Sequence, residues 1–241
     1  MKAAAPSDIA SRPVNITLFD LDHTLLPIDS DYAWGVFTID IGWTDAQRFG
    51  ERNEEFYAHY QAGTLDVHAY VRFATEAIRL RGAEAACQAR EQFMRRVVQP
   101  AIRPEAQALV QRHQKAGDRV AIITATNEFV TRPIADAFGV PDLIAVELER
   151  EAAPDGKGWI TGNIRGVPSM REGKVLRFTH WLEQRGLRWD DVHVTFYSDS
   201  TNDLPLLERV NDPVATNPDA ALRALARTRG WRILDLFPRT P

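Results

Sequence analysis

The sequence is poor in cysteine: Cys87 is the single one in 241 residues. No disulfide can form within the chain, and a disulfide-stapled secreted scaffold is excluded. Cys87 lies in an alanine-rich stretch, 83–89, the setting of a buried or half-buried helix residue rather than of a reactive thiol. No run of 18 uninterrupted apolar residues occurs, so no membrane-spanning helix is expected. Residues 1–13 hold Lys2 and several alanines but no apolar core of a leader. A secretory signal is therefore not expected, and a cytoplasmic setting is the default. Basic excess is also missing. The net charge is −4, so there is no electrostatic footprint for nucleic acid, although an anionic substrate is not excluded, because local cations outweigh the sum. Between Gly42 and Pro100 no β-rich run appears, and no internal repeat or low-complexity segment is present.

What is present is an ordinary soluble composition, 44% hydrophobic and 26% charged. That supports one generous core, or one core with a small satellite domain. Val14 to Leu21 reads as a buried strand, and it ends abruptly in Asp20-Leu21-Asp22-His23-Thr24. A helix is expected over Tyr32 to Ile41, capped by Ser30 or Asp31. Three further helices follow: Thr44 or Asp45 to Tyr60 or Gln61, then Leu65 to Leu80 capped by Thr64, then Ala83 to Val98 ended by Pro100. Phe49, Phe56, Tyr57, Tyr60, Val67, Tyr70, Val71, Ala74 and Ile78 recur near helical spacing, as the core of a small bundle would. The sharper alternative is that a few of these aromatics line a substrate pocket.

Strand–helix alternation resumes at residue 102. Pro104 to Ala116 reads as a helix closed by Gly117, and Arg119 to Thr124 as a strand buried on both faces. A helix capped by Asn127 runs to Ala137, and Leu143 to Leu148 is a strand. Ala152 to Ile164 reads as a hairpin turning at 154–158. Arg171 to Gln184 is a helix, Val192 to Tyr197 a strand and Leu204 to Arg209 a short helix. Short strands at Pro213 to Thr216 and Trp231 to Leu234 flank a helix at Asp219 to Arg227. The pattern predicts an α/β fold with a doubly wound, mostly parallel sheet. Residues 14–28 and 101–237 are expected to form its core, and 29–100 an α-helical cap inserted after the first strand.

Four polar groups fall at the ends of strands or at the start of a helix. They are Asp20, Asp22 and Thr24; Thr124 with Ala125 and Thr126; Lys174; and Asp199 with Asn202 and Asp203. Taken singly each has a plain structural reading: a turn threonine, a solvated lysine, a helix cap. Together they supply what phosphoryl transfer requires. Asp20 is ionised at neutral pH and can attack phosphorus without first losing a proton, forming an aspartyl phosphate. A Mg²⁺ ion shared by Asp20, Asp199 and the phosphate would reduce the repulsion between anions, and Lys174 would offset the rest. Thr124 Oγ and nearby backbone N–H groups would hold phosphate oxygens. Asp22 would protonate the departing alcohol and later take a proton from water.

On these motifs the sequence resembles the haloacid dehalogenase-like hydrolase superfamily, most closely its phosphoserine-phosphatase-like branch, over about residues 14–235. Asp20-x-Asp22-x-Thr24 matches the first motif, Thr124 the second, Lys174 the third and Ser198 to Asp203 the acidic fourth. The resemblance implies a Rossmann-like core, a small phosphorylated metabolite as substrate and Mg²⁺ as cofactor. It implies Asp20, the Asp22 carbonyl and Asp199 as metal ligands, with Asp203 in support. Thr124, Ala125, Lys174 and Asn202 would bind phosphate. The chain departs from the branch where Ala125 and Thr126 replace two glycines, and where Asp29 and Asp31 stand in the neighbourhood of a glutamate that reads a substrate amine. Those two acids fit either a cationic substrate or a solvated loop. Phosphoserine, histidinol phosphate or another amino-alcohol phosphate is the expected substrate, and a monomer or homodimer the expected state. A phosphotransferase and a non-catalytic phosphate-binding module are the alternatives. A dehalogenase is disfavoured, because that chemistry needs no proton donor such as Asp22.

Overall fold

The computed structural model describes residues 13–152 and 158–237. Six parallel strands form the main sheet in the order β3-β2-β1-β6-β7-β8. These are β1 Val14–Phe19, β2 Arg119–Asn127, β3 Asp142–Val146, β6 Val192–Ser198, β7 Asp212–Thr216 and β8 Arg232–Leu234. A separate antiparallel pair joins β4 Leu148–Arg150 to β5 Ile160–Ile164. The strands are apolar on both sides because each feeds two cores. Ile16, Leu18, Ala121, Ile123, Val194 and Phe196 face one core. Phe19, Val120, Ile122, Tyr197 and Val214 face the other. That two-sided burial is what a central parallel strand requires.

The helices are α1 Ser30–Asp40, α2 Ala46–Ala62, α3 Val67–Ala74, α4 Glu76–Arg81, α5 Ala83–Phe93, α6 Gln99–Ala101, α7 Pro104–Ala116, α8 Glu128–Ala137, α9 Glu172–Glu183, α10 Leu204–Leu207 and α11 Ala220–Arg229. Helices α9, α10 and α11 pack on the first face, and α7 and α8 on the second. Helices α1 to α6 all lie between β1 and β2 in the chain, and their buried residues Trp34, Phe37, Val71, Ile78 and Phe93, with Val98 between α5 and α6, continue the second core. None of the helices among the described residues is long and apolar enough to cross a membrane. Cys87 is a free, half-buried thiol packed against that core.

Strand order sets the position of any ligand. From β1 the chain moves outward through β2 to β3. It then returns to the other side of β1 and moves outward through β6, β7 and β8. The reversal falls between β1 and β6, and the crevice at the carboxyl ends of such a pair is where open α/β sheets bind ligands. Val14 to Phe19 pair in register with Val192 to Tyr197, so Asp20 and Asp199 both emerge at that crevice.

Several local expectations are corrected. Asp29 caps α1, accepting from the N–H groups of Asp31 and Tyr32, in place of Ser30 or Asp31. Asp66, with two backbone donors, caps α3 in place of Thr64. The single helix expected over 65–80 is divided at Thr75, whose hydroxyl donates back to Val71 O at 2.7 Å; such back-bonding competes with regular helix. Pro100 does not end the helical run. A wide π turn at Met94–Val98 precedes it and makes room for the ring, and the chain stays helical to Ala101. The strand expected over 143–148 is two strands in different sheets. Of the hairpin expected within 152–164, the turn at 154–158 lies outside the described residues apart from Gly158, as does nearly all of the tail expected over 1–13. Tyr57, expected on the helical core face, is 58% exposed.

Candidate active site

The site begins with a buried ammonium. Lys174 is 2% exposed and donates to Asp20 Oδ1 at 2.8 Å and to Asp203 Oδ2 at 2.7 Å. It enters from the first turn of α9, while Asp20 leaves the end of β1 and Asp203 follows β6. Ser198 Oγ donates to the same Asp203 oxygen at 2.7 Å. Burial alone would lower the lysine pKa, but the two carboxylates outweigh it and hold the pKa above the ordinary lysine value. Asp20 is pushed upward by its own burial, with Lys174 as the main opposing influence. Thr24, fully buried, donates to Asp20 Oδ2 at 3.1 Å and lies 3.4 Å from Asp199 Oδ1. One hydroxyl thus spans both carboxylates.

The turn after β1 is tightly wound. The N–H groups of Thr24, Leu25 and Leu26 all point at Leu21 O, at 2.9–3.3 Å. His23 takes a left-handed conformation there, with φ 57°. Asn217, after β7, secures the turn by donating to His23 O and Thr24 O. Asp22 is held differently from Asp20. Its Oδ1 accepts from Ser30 N at 2.8 Å and its Oδ2 from Thr126 Oγ1 at 2.9 Å. No ion pair to Asp22 occurs among the described residues. Burial, and then the charge of Asp29, raise its pKa well above the usual carboxylate range.

Beyond Asp22 lies a second carboxyl without a cation. Asp31 is 8% exposed and accepts from Asn127 Nδ2 at 3.3 Å. Tyr70 hydrogen-bonds to it as well. Burial first and Asp29 second push its pKa up to about 7. Tyr70 is raised well above the usual phenol value, by burial and then by Asp31.

The remaining predicted residues surround this centre less directly. Thr124 is buried, and its Oγ1 accepts from Thr126 N at 3.1 Å. No hydrogen bond among the described residues joins it to Asp20, Asp199 or Lys174. Ala125 is exposed between the two threonines. Asn202 Oδ1 is taken by the guanidinium of Arg171. Tyr60 reaches down from α2 to hydrogen-bond Ser200 and Asn202; burial raises its pKa, and those bonds oppose the rise. Arg171, Tyr60 and Tyr70 were not singled out as site residues from sequence. The tyrosines were visible only as pocket-lining alternatives within a helical stripe, and nothing in the chain pattern marked Arg171. A concavity of about 670 Å³ lies elsewhere on the fold, lined by His113, Thr195, Arg229 and Trp231 among others, and contains none of the predicted residues.

The donor set suits a divalent cation that prefers oxygen ligands. Asp20 and Asp199 supply hard oxygen ligands within the reach of one threonine hydroxyl. Burial, then repulsion from Asp20 and Asp203, pushes the Asp199 pKa up to about 8. A cation between the two acids would relieve that repulsion. No cluster of three or more His, Cys, Asp or Glu side chains suited to a metal occurs among the described residues. The pair of carboxylates bridged by Thr24 fits an ion that accepts one or two carboxylates and completes its shell with carbonyl, water and phosphate oxygens. Mg²⁺ is bound in that way, whereas structural Zn²⁺ requires a full protein shell.

Comparison with known proteins finds clear relatives. The family described as haloacid dehalogenase-like hydrolase matches residues 17–208. The histidinol-phosphatase of Neisseria meningitidis serogroup C is 42% identical over 222 residues, covering 92% of this chain and 98% of that protein. A Bordetella pertussis Tohama I protein of unknown function has a solved structure with TM-score 0.86 and 43% identity, covering 93% of this chain and 100% of that one. A substrate-bound phosphoserine phosphatase shares the fold, with TM-score 0.63 at 13% identity over 93% of this chain and 94% of that one.

The buried Asp31 predicts a pH-dependent stability. Its folded pKa of about 7 lies above the ordinary aspartate value of 3.8, so the folded state binds more protons in that window. Wild-type stability then falls as pH rises from about 4 to about 7. Asp29, Tyr70 and Asn127 are the groups facing it. Asp31→Asn keeps an acceptor for Asn127 and removes the charge. Its unfolding free energy at pH 8 is expected to exceed that of wild type by about 1–4 kcal/mol, with the gap closing near pH 4. Chemical denaturation across pH checks this; parallel curves would contradict it.

Proposed function

The chain belongs to the haloacid dehalogenase-like hydrolase family, as a phosphatase, and from that premise we propose that it hydrolyses the phosphate monoester of a small metabolite through attack by Asp20 on phosphorus. The observation that carries this reading is the difference between two neighbouring acids. Asp20 is paired with the Lys174 ammonium at 2.8 Å, which favours its anionic, nucleophilic form. Asp22 lacks a cation and has its pKa pushed well up, which favours keeping a proton. Titratable groups with contrasting environments divide base from acid in this way.

In this scheme Asp20 displaces the alcohol from phosphorus and Asp22 protonates the leaving oxygen. Asp22 then takes a proton from the water that cleaves the aspartyl phosphate. Ser30 N and Thr126 Oγ1 hold the Asp22 carboxyl in one orientation while it does so. Lys174 stays charged throughout and neutralises Asp20 and then the phosphoryl oxygens. Thr124 Oγ1, the Ala125 N–H and Asn202 are assigned to the phosphate, with Asp203 fixing Lys174. Asp20, Asp199 and the Asp22 carbonyl would hold Mg²⁺, which would supply charge neutralisation between the nucleophile and the phosphate. Helices α1 to α6, within residues 29–100 apart from Ala101, act as a cap on the core formed by 14–28 and 101–237, excluding water from the reacting atoms.

The substrate proposed is the phosphate of an amino alcohol, with histidinol phosphate foremost and phosphoserine next. Two facts support it. The Neisseria relative named histidinol-phosphatase matches nearly its whole length. In addition, Asp29 sets a carboxylate near Asp22, where the departing alcohol would lie, and near the buried Asp31, which has no ion pair among the described residues and would be favoured in its charged form by a cationic group.

Asp22→Asn is expected to lower kcat/KM about 10²–10⁴-fold for alkyl phosphates but about tenfold or less for p-nitrophenyl phosphate, whose leaving group needs no proton. Equal losses on both substrate types would remove the proton-donor role. A panel of small phosphate esters assayed with Mg²⁺ is expected to release phosphate from an amino-alcohol ester, to fall silent in EDTA and to recover on adding Mg²⁺ back. Undiminished release in chelator would contradict the metal assignment, and release from none of the panel would contradict the substrate class.

A further inference from the structure

Arg171 has a backbone conformation that residues with side chains rarely adopt, with φ 52° and ψ −124°. Glycine would sit there without strain. A strained residue persists where the surroundings over-determine it, so the side chain must contribute something that glycine cannot. Its guanidinium makes three bonds. Nε and Nη2 donate to Asn202 Oδ1 at 3.2 and 3.0 Å, and Nη1 donates to Gly63 O at 3.0 Å. Asn202 stands in the loop after β6, and Gly63 ends α2. One side chain therefore ties the helical segment to the loop beside the buried ion pair.

Its partner on the helical side is shaped to receive it. Gly63 takes the left-handed conformation, φ 74°, and a Cβ there would lie 3.0 Å from Arg171 Nη2. Three residues earlier, Tyr60 bonds to Ser200 and Asn202. The glycine that ends α2 and the strained Arg171 thus meet at a single guanidinium. The Asn202 amide is also oriented by this arrangement. Its oxygen is occupied by two donors from Arg171, so its NH₂ is the edge left for other acceptors, with Ser200 Oγ at 3.4 Å.

We infer that Arg171 is a positioning residue, a latch that holds the end of α2 onto the Asn202 loop and orients the Asn202 amide toward an incoming phosphate. Lysine cannot replace it, because a point-charge ammonium cannot satisfy two oxygens in a fixed fork. Opening the helical segment requires breaking the fork, and the same event releases Asn202. Closure and phosphate binding are thereby coupled through one side chain. The inference takes from the proposed function only that Asn202 faces phosphate.

Arg171→Gly removes the guanidinium and the strain together, so folding is not put at risk; Arg171→Lys keeps charge without the fork. The first readout is hydrogen exchange in the substrate-free protein at Gly63 and Thr64, whose N–H groups donate to Tyr60 O and His59 O. Both variants are expected to exchange there about tenfold faster, with Tm of the glycine variant not lowered. The second is the Kd for inorganic phosphate in the presence of Mg²⁺, together with the substrate KM. Each is expected to rise about tenfold, with kcat unchanged or raised, as loss of hydrogen bonds to a charged group predicts. Adding Asn202→Ala to Arg171→Gly is expected to cost little more, because the two act as a unit. Unchanged exchange at Gly63 and Thr64 would overturn the latch, whether or not the chain turns over any ester. Faster exchange with unchanged phosphate Kd would overturn its link to Asn202. A fall in kcat with KM unchanged would also overturn it, placing Arg171 in the chemical step.

Discussion

A lysine ammonium almost without solvent, shared between two aspartates, is the constraint on which the site depends. Removing water from such charges costs several kcal/mol each unless every one is answered. Here Lys174 answers Asp20 and Asp203 at 2.8 and 2.7 Å, and Ser198 supports Asp203. The three charged groups come from β1, from α9 and from the turn after β6, separated by 154 and 29 residues in sequence. They meet because β1 and β6 run side by side at the point where the sheet changes direction. The sheet topology and the electrostatics are therefore one statement: a different strand order would leave a charge buried and alone.

Past that triad the charges stop balancing. Asp199, Asp22 and Asp31 all have pKa values pushed up, each by burial first and by neighbouring acids next. Those shifts mark a place where further negative charge is disfavoured: a phosphate dianion brought beside Asp20 meets repulsion that one ammonium, already shared with Asp203, does not cancel. This imbalance is the physical ground for assigning a divalent cation to Asp20 and Asp199. It is also the ground for expecting positive charge on the alcohol side of the substrate. The closed contacts of Tyr60 and Arg171 matter for the same reason, since electrostatic attraction and repulsion both strengthen when water is excluded.

Much of this was legible in the chain because the strand code is redundant. Central parallel strands are apolar on both faces, so Val14 to Phe19 and Val192 to Tyr197 announce themselves, and acids placed directly after them stand out. Lys174 was legible only in company, since a lone lysine in a first helical turn looks solvated. The helix starts were misread where several capping residues competed. Asp29, Ser30 and Asp31 are all good caps, and only coordinates show which backbone N–H groups each one meets. Tyr60 and Tyr70 share the spacing of the core residues Phe56 and Val71, so periodicity cannot separate a tyrosine that fills a bundle from one that turns into a cleft. Arg171 was invisible because its distinguishing feature is a backbone angle, which no residue pattern encodes for a non-glycine.

The central claim is that Asp20, held as an anion by Lys174, forms a bond to phosphorus before water does. The stereochemistry at phosphorus tests it most directly. A substrate ester made chiral at phosphorus with sulfur and oxygen isotopes is turned over in isotopically labelled water, and the configuration of the released thiophosphate is determined. Two successive in-line displacements, first by Asp20 and then by water, predict overall retention. Inversion would mean a single direct attack by water and would contradict the account.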